Sequence, residues 1–328
     1  MPLPTFVIVG ERKSGTTALC HWMAHPDVYM HPREDMNYFI EDEILVTTTW
    51  RDGPADPQRW ERTHSAAQYA ALFAEAGAQR AVGEKSADLF FWRPAHERMA
   101  RLLPDARFIV LLRDPVKRAW SHYLDELAKG DGRESLPFDD ALAAEAERSA
   151  RSAYARLHLS YRARGYYDDV MRDFLGHIPR GRVLVLTLEQ MGAAPRETLQ
   201  TVYRFIGVNP DVGLEMAGTR HNEAGDTNVP RRWARSPIVR PIASAYHQLS
   251  ARVIERLLRD PARRQRAKNA AYLPFQQSGK RLKMADATRD ELARDFAPHV
   301  RALEAMLGRE FPEWTHTANA AGAGRDAQ

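Results

Sequence analysis

Short apolar runs separated by longer amphipathic stretches dominate the hydrophobic pattern of this chain. Three runs are apolar at nearly every position, namely Phe6–Val9, Phe108–Leu112 and Val183–Leu188, and two weaker runs are Val28–His31 and Ala81–Glu84. Continuous apolar runs of this length are typical of strands that are buried on both faces of a sheet. The pattern therefore predicts a sheet of about five strands.

Between these runs, apolar residues recur at the spacing of helices that bury one face. The predicted helices are Thr16–Ala24, Ala66–Ala76, Pro94–Leu103, Val116–Ala128, Phe138–Leu159, Tyr166–Leu175, Arg196–Ile206 and Arg289–Leu307. Strands that alternate with helices indicate a mostly parallel sheet with helices on both faces. We expect a three-layer α/β fold that forms one domain over residues 1–314.

Several segments show neither pattern. Loops are predicted at Gly130–Pro137 and Ala217–Pro230, while Asp42–Ala66 and Ala217–Trp233 match nothing that assigns them a role. The stretch Thr315–Gln328 is small and polar, and it is predicted to be a disordered tail.

Composition narrows the class of protein. Among 328 residues, 47 are basic and 43 acidic, a net charge of +4 that favours an anionic ligand without requiring nucleic acid. The apolar runs fall far short of the roughly 18 residues that a membrane-spanning helix needs, and we expect no signal peptide. A single cysteine, Cys20, cannot form an internal disulfide, so we expect a cytoplasmic protein.

The first candidate site is the turn after the first strand, Gly10-Glu-Arg-Lys-Ser-Gly-Thr-Thr17. A strand, a glycine-containing turn and a helix together let backbone N–H groups and the helix N-terminus hold phosphate or sulfate oxygens. A nucleoside-triphosphate loop has its lysine directly before the last Ser or Thr, whereas here Gly15 precedes Thr16 and the lysine is Lys13. The turn therefore predicts a P-loop-like anion site, with a simple tight turn as the alternative.

The second candidate site follows the apolar run that ends at Leu112. Arg113 is placed at a strand end, Pro115 suits the first turn of a helix, and Ser121 lies one to two turns along it. A guanidinium fork and a hydroxyl in this arrangement can bind one phosphate. The alternative is that Arg113 pairs with Asp114 and that Ser121 lies on the protein surface.

Both candidate sites resemble elements of the sulfotransferases that use 3′-phosphoadenosine 5′-phosphosulfate (PAPS). Lys13–Thr17 resembles their 5′-phosphosulfate loop and Arg113–Tyr123 their 3′-phosphate-binding element. Gly83–Ser86, His25–Val28 and the pair Tyr38-Phe39 resemble the heparan-sulfate-type and related bacterial branch. The resemblance covers about residues 5–210 and implies a P-loop-like three-layer fold.

The resemblance also implies an activity. It implies PAPS as sulfuryl donor, 3′-phosphoadenosine 5′-phosphate (PAP) as product, and no requirement for metal. The implied acceptor is a hydroxyl, in preference to an amine, of a carbohydrate or a small natural product. The residues implied to bind the donor are Arg12, Lys13, Ser14, Gly15, Thr16, Thr17, Arg113, Ser121 and, by a looser match, Gly279 and Lys280.

The implied catalytic groups are two cations and a carboxylate base. Lys13 would stabilise charge that develops on the bridging oxygen, a contribution of about 3–4 kcal/mol for a donor of this kind. Lys85 is the second cation, with a surface ion pair to Glu84 as the alternative role.

The family has its general base four residues before the second of the paired aromatics, which is Asp35 in this chain. Many relatives have Lys-Glu where this chain has Glu34 and Asp35. Because aspartate is one methylene shorter than glutamate, Glu34 and a histidine such as His31 stay open as bases.

Two other functions stay open at this point: a P-loop-type small-molecule kinase, and a non-catalytic module that binds anions or nucleic acid. The absence of a lysine directly before Thr16, together with Arg113 and Ser121, argues against the kinase. Only the mild basic excess favours nucleic acid. We expect no nucleic-acid partner and no membrane span, in a monomer or a homo-oligomer.

Overall fold

Parallel strands form the central sheet of the protein. The computed structural model describes residues 3–40, 66–129, 134–219, 228–231, 239–257 and 276–317, with a few single positions between 260 and 271. The strands are β1 (Phe6–Gly10), β2 (Val28–Met30), β3 (Ala81–Lys85), β4 (Arg107–Leu112) and β5 (Val183–Thr187). They lie in the order β2-β3-β1-β4-β5, and every neighbouring pair is parallel. The predicted α/β fold with a five-stranded parallel sheet is confirmed.

The strands are apolar throughout because both faces of the sheet are covered. In β1, Val7 and Val9 pack into the core on one face, whereas Phe6 and Ile8 pack into the core on the other. All four side chains are fully buried. Since successive side chains of a strand point to opposite faces, covering both faces removes the alternation of polar and apolar residues.

Helices cover the sheet. Those in the described part of the chain are α1 (Thr16–Trp22), α2 (Ala66–Ala71), α3 (Pro94–Leu102), α4 (Pro115–Ala128), α5 (Phe138–Ala143), α6 (Glu145–Arg151), α7 (Ala153–His158), α8 (Tyr167–His177), α9 (Leu188–Ala193), α10 (Pro195–Ile206), α11 (Val239–Leu257) and α12 (Asp286–Leu307). A separate antiparallel pair joins β6 (Asn228–Pro230) to β7 (Gln276–Ser278). The sequence pattern predicted neither α9, α11 nor this pair. Among the described helices, none is long and apolar enough to cross a bilayer.

The prediction of one helix from Phe138 to Leu159 was wrong, because this segment forms α5, α6 and α7. Ser152 has an extended backbone with φ −151°, and its hydroxyl accepts a hydrogen bond from the Ala155 N–H at 3.5 Å. A serine that bonds to the nearby backbone competes with helical hydrogen bonds and favours a cap. The amphipathic spacing continues across this break, so it did not reveal the end of α6.

The packed chain continues beyond the predicted domain boundary at residue 314. Thr317 is buried and donates a hydrogen bond to the Trp314 carbonyl at 3.2 Å. The rest of the predicted tail, residues 318–328, lies outside the described residues, as do 42–65 of the unassigned insert, 130–133, and 220–227 and 232–233 of the second unassigned stretch.

The strand order brings three turns together at the carboxyl ends of the strands. From β1 the chain passes to β2 on one side, and it later crosses from β3 over β1 to reach β4 on the other. Ligands of open parallel sheets bind beyond the carboxyl ends of the strands, at the point where the strand order reverses. Here the carboxyl ends of β3, β1 and β4 lead into Lys85–Ala87, Glu11–Thr17 and Arg113, which are therefore side by side.

Candidate active site

A cavity of about 880 Å³ lies at the carboxyl ends of β3, β1 and β4. Both predicted anion sites and three of the four predicted catalytic residues contribute to its wall, which includes Lys13, Gly15, Thr16, Thr17, Asp35, Lys85, Arg113 and Ser121 but not Glu34. These residues come from four separate parts of the sequence. The structure thus brings together in one cavity the two sites that were predicted independently.

The first turn has a backbone that only certain residues tolerate. Gly15, at the start of α1, has φ +91°, and a Cβ atom there would lie 2.7 Å from the Leu188 side chain. Lys13 also adopts a left-handed backbone, with φ 68°. Glycine is therefore required at position 15, both for its conformation and for the close approach of α9. This path turns the N-terminus of α1 and its free N–H groups toward the cavity.

Buried ion pairs hold the turn between β1 and α1 in place. Asp88 accepts Arg12 Nε at 3.0 Å and Arg12 Nη2 at 2.5 Å, and Arg164 Nε donates to Glu11 at 2.7 Å. Arg12 Nη1 also donates to Glu126 at 2.9 Å. Burial alone would raise the pKa of Asp88, but the charges of Arg12 and Arg164 hold it well below its usual value. The carboxylate is therefore charged at neutral pH and ties the turn to the chain that follows β3.

Arg12 was predicted to bind the donor, and the structure gives its guanidinium other partners. Its Nε, Nη1 and Nη2 all contact Asp88, Glu126 or His158. The backbone N–H of Arg12 bonds to the Glu11 carboxylate at 2.7 Å. Although Arg12 contributes to the cavity wall, these contacts make its side chain an anchor of the loop.

Arg113 and Ser121 present unused hydrogen-bonding groups. Arg113 Nη1 donates to the Lys13 carbonyl at 3.2 Å, which joins the two predicted anion sites directly. Neither Arg113 Nε nor Ser121 Oγ has a hydrogen-bond partner in the described part of the structure, and both atoms are buried. A buried donor without a partner costs about 1–3 kcal/mol, which a bound anion would offset. The donor set thus fits a phosphate group.

The alternative roles of these two residues do not match the structure. The Asp114 carboxylate accepts hydrogen bonds from the N–H groups of Val116 and Lys117, at 3.0 and 3.2 Å, and so caps α4 instead of pairing with Arg113. Ser121 is only 5% exposed, and so it is not a surface residue.

Lys85 lies between the two candidate bases. Its Nζ is 2.8 Å from Glu34 Oε2 and 3.0 Å from Asp35 Oδ2, and the lysine side chain is only 3% exposed. Glu34 also accepts a hydrogen bond from the Thr17 hydroxyl at 3.0 Å. Burial acts to raise the pKa of Glu34, but the hydrogen bond and charge of Lys85 outweigh it and lower the pKa. Burial acts to lower the pKa of Lys85, and the charges of Asp35 and Glu34 raise it instead.

Asp35 is fixed by the end of β3. Its N–H donates to the Lys85 carbonyl at 2.7 Å, and its Oδ1 accepts the Ala87 N–H at 2.9 Å. Its backbone is left-handed, with φ 52°, as is that of Asn37 with φ 54°. The Asn37 N–H bonds to the Ser86 hydroxyl at 3.2 Å. The Gly83–Ser86 motif therefore positions the segment that contains the candidate bases.

The alternative pairing of Lys85 with Glu84 was wrong. Glu84 is fully buried on the other face of β3, where Tyr69 and Ser86 donate hydrogen bonds to it at 2.5 and 3.3 Å. Burial raises the pKa of Glu84 to about 7. Neighbouring residues of a strand point to opposite faces, and so they cannot form this pair.

A second cavity, of about 570 Å³, adjoins the first at Arg113 and Ser121. Gly279 lies in its wall, as expected from the looser C-terminal match, whereas the side chain of Lys280 lies outside the described residues. The sequence reasoning missed the cationic and potentially cationic side chains here, which are Lys117, Lys283, Arg289 and His316. The sequence could have indicated Lys117, since it precedes Ser121 by four residues on α4 and so shares a face of the helix with it. The other three come from the far end of the chain, and no local spacing indicates them.

Comparisons with known proteins agree with this geometry. A family model described as "Sulfotransferase family" matches residues 4–211. The chain belongs to the sulfotransferase family.

Relatives of this sulfotransferase include enzymes named for heparan sulfate. It is 26% identical over 213 residues to the human bifunctional heparan sulfate N-deacetylase/N-sulfotransferase 2, a match that covers 63% of this chain and 22% of that protein. It is 27% identical over 212 residues to mouse heparan sulfate glucosamine 3-O-sulfotransferase 3B1, covering 63% and 46%. The chain thus spans less than half the length of these two relatives.

A solved structure extends the likeness to the whole chain. The sulfotransferase from Alicyclobacillus acidocaldarius superposes with a TM-score of 0.66 and 26% identity, covering 96% of this chain and all of that one.

The ion pairs beneath the turn give a prediction for stability. Asp88→Asn removes the buried carboxylate that pairs with both Arg12 and Arg164, which then keep only Glu126 and Glu11, and it should lower the free energy of unfolding by about 3–5 kcal/mol at pH 7. The folded pKa of Asp88 is depressed, so its contribution is complete above the unfolded value of about 3.9 and fades as the pH falls below it. Urea unfolding at pH 7 and near pH 3 should show the difference shrinking in acid. An equal difference at both pH values would contradict this role.

Proposed function

We propose that this sulfotransferase binds PAPS and transfers its sulfuryl group to an acceptor hydroxyl. The observation that carries the proposal is one cavity walled by both predicted anion sites, with buried and unpartnered groups on Arg113 and Ser121. A nucleotide with a phosphate at each end of its ribose needs two separate anion-binding sites, close enough for one molecule to occupy both. The direct hydrogen bond from Arg113 to Lys13 supports the proposal, because it joins the two candidate anion sites.

The residues that would hold the donor divide between its two ends. At the 5′ end we place Lys13, Ser14, Gly15, Thr16 and Thr17, the residues that lead into α1 and form its first turn. At the 3′-phosphate we place Arg113 and Ser121, with Gly279 and Lys280 approaching from the C-terminal segment. When bound, PAPS supplies a sulfuryl group activated by its phosphosulfate linkage.

Positioning and charge stabilisation would supply most of the rate acceleration, as in phosphoryl transfer. Lys13 and Lys85 are two of the cations in the cavity wall, and Lys85 contacts both Glu34 and Asp35. Lys85 is held by Glu34 and Asp35, so its ammonium group is already oriented before any acceptor arrives. A fixed cation of this kind needs no reorganisation when charge develops on the transferring group.

We assign the general base to Asp35. It contributes to the cavity wall and its side chain is 45% exposed, whereas Glu34 is not part of the wall and is 32% exposed. Glu34 would then keep Lys85 and Thr17 in position. His31 is a weaker candidate, since its Nδ1 already accepts the Arg33 N–H at 3.1 Å.

For the acceptor we propose a hydroxyl of a carbohydrate, with a small natural product as the broader class. Two of the relatives are named for heparan sulfate, one for glucosamine 3-O-sulfation. The carboxylate base favours an alcohol, because removing the hydroxyl proton in the transition state calls for such a group.

Donor binding is tested by thermal unfolding with PAP and with ATP–Mg²⁺. PAP bound at both anion sites should raise the melting temperature, and at 100 times its Kd it would add about 2.7 kcal/mol to the free energy of unfolding. ATP–Mg²⁺ lacks the 3′-phosphate and should have little effect. Stabilisation by ATP–Mg²⁺ alone would overturn the proposal in favour of a kinase.

The base assignment gives a kinetic prediction. Asp35→Asn should lower the rate of sulfuryl transfer by about 10²–10⁴ while PAP binds almost as before, because the amide cannot accept the acceptor proton. The rate is measured with PAPS and an acceptor found in a screen of saccharides and hydroxylated small molecules. Glu34→Gln is the matched control and should lose less activity. An Asp35→Asn variant of unchanged rate would remove Asp35 from the mechanism.

A further inference from the structure

The ammonium group of Lys13 is paired with a carboxylate of α4. Lys13 Nζ lies 2.9 Å from Asp125 Oδ1, although the two residues are 112 positions apart. Asp125 follows Ser121 by four residues, so both side chains lie on the same face of the helix. That face contributes Ser121, Asp125 and Lys129 to the wall of the larger cavity. A negative charge therefore lies in the cavity wall beside Lys13 and Ser121, two of the residues predicted to bind an anion.

Asp125 has a second cation in reach. Lys129 Nζ lies 2.8 Å from Asp125 Oδ2 and 2.8 Å from Glu126 Oε1. If Lys13 turned away, Asp125 would keep Lys129 and would not be left as an unpaired charge. Breaking a pair is costly when it isolates a charge, and here it does not. The contact between Lys13 and Asp125 can therefore be exchanged at low cost.

Solvent exposure separates this pair from the anchors beneath the turn. The side chains of Lys13 and Asp125 are each 24% exposed, whereas those of Arg12 and Asp88 are 14% and 5% exposed. Water screens the first pair more strongly and weakens it. Meanwhile Arg113 holds the carbonyl of Lys13, so the backbone stays in place while the side chain changes partner.

We propose that Asp125 competes with the bound nucleotide for Lys13, and so weakens the hold on PAPS and PAP and speeds release of PAP. The inference rests on the proposed function. The 5′ groups of both nucleotides are anionic and would draw Lys13 from Asp125, while the carboxylate would repel them. Asp125 thereby trades donor affinity for faster product release.

The test measures PAP binding and needs no acceptor. Asp125→Asn keeps the shape and one oxygen that can accept a hydrogen bond from Lys13 or from Lys129, but it removes the charge. PAP should bind about tenfold more tightly by titration calorimetry and dissociate more slowly in stopped flow. Asp169→Asn is the matched control, because it removes the same charge from a surface pair with Arg172 and lies in the wall of neither cavity. The affinity of the Asp169→Asn variant for PAP should stay within about twofold of the wild-type value.

A double-mutant cycle with Lys13→Ala separates competition for the lysine from simple repulsion. If Asp125 acts through Lys13, Asp125→Asn should improve PAP binding clearly less in the Lys13→Ala background than in the wild-type background. An equal gain in both backgrounds, or no gain in the wild-type background, would overturn the inference. If the wild-type protein fails to bind PAP, the proposed function itself falls.

Discussion

The buried ion pairs beneath the first turn are the interaction on which the site depends. Asp88 contacts both Arg12 and Arg164, and Glu11 contacts Arg164, so opposite charges are matched with little access to water. Losing one partner would unbalance a buried network of matched charges, which makes any shift of the turn costly. The side chain of Lys13 is paired closer to solvent. The turn therefore joins a fixed backbone to a cation that can change partners.

The sequence was sufficient to predict the sheet, because burial on both faces leaves continuous apolar runs that few other structures produce. The helix breaks were harder to predict, since the cap at Ser152 interrupts the backbone but not the spacing of apolar residues. The helix Val239–Leu257 was also missed, and in the structure its apolar side chains such as Ile242 and Leu249 are exposed instead of packing into the core. Burial leaves a clear record in sequence, whereas local caps and exposed apolar faces leave a weak one.

The positions of the two candidate anion sites were predictable because each follows a strand directly and is local in sequence. The contacts that hold them were not, since Arg12 meets Asp88 and Glu126 at separations of 76 and 114 residues. The pairing of Lys85 with Glu84 could have been rejected from the sequence alone, because neighbours on a strand face opposite ways. The partner of each charged side chain depends on contacts between residues far apart in the sequence, and the sequence pattern did not reveal these contacts.

The central claim is that Arg113 and Ser121 bind the 3′-phosphate of a nucleotide whose 5′ end lies at Lys13–Thr17. Comparing PAP with adenosine 5′-phosphate, which lacks that phosphate, tests it directly when wild type, Ser121→Ala and Arg113→Met are titrated in parallel. Wild type should prefer PAP by about 100-fold, since charge-assisted hydrogen bonds contribute about 1.5–3 kcal/mol each. Both variants should lose much of this preference, and Ser121→Ala should leave the affinity for adenosine 5′-phosphate little changed. A preference for PAP that survives in both variants would contradict the account.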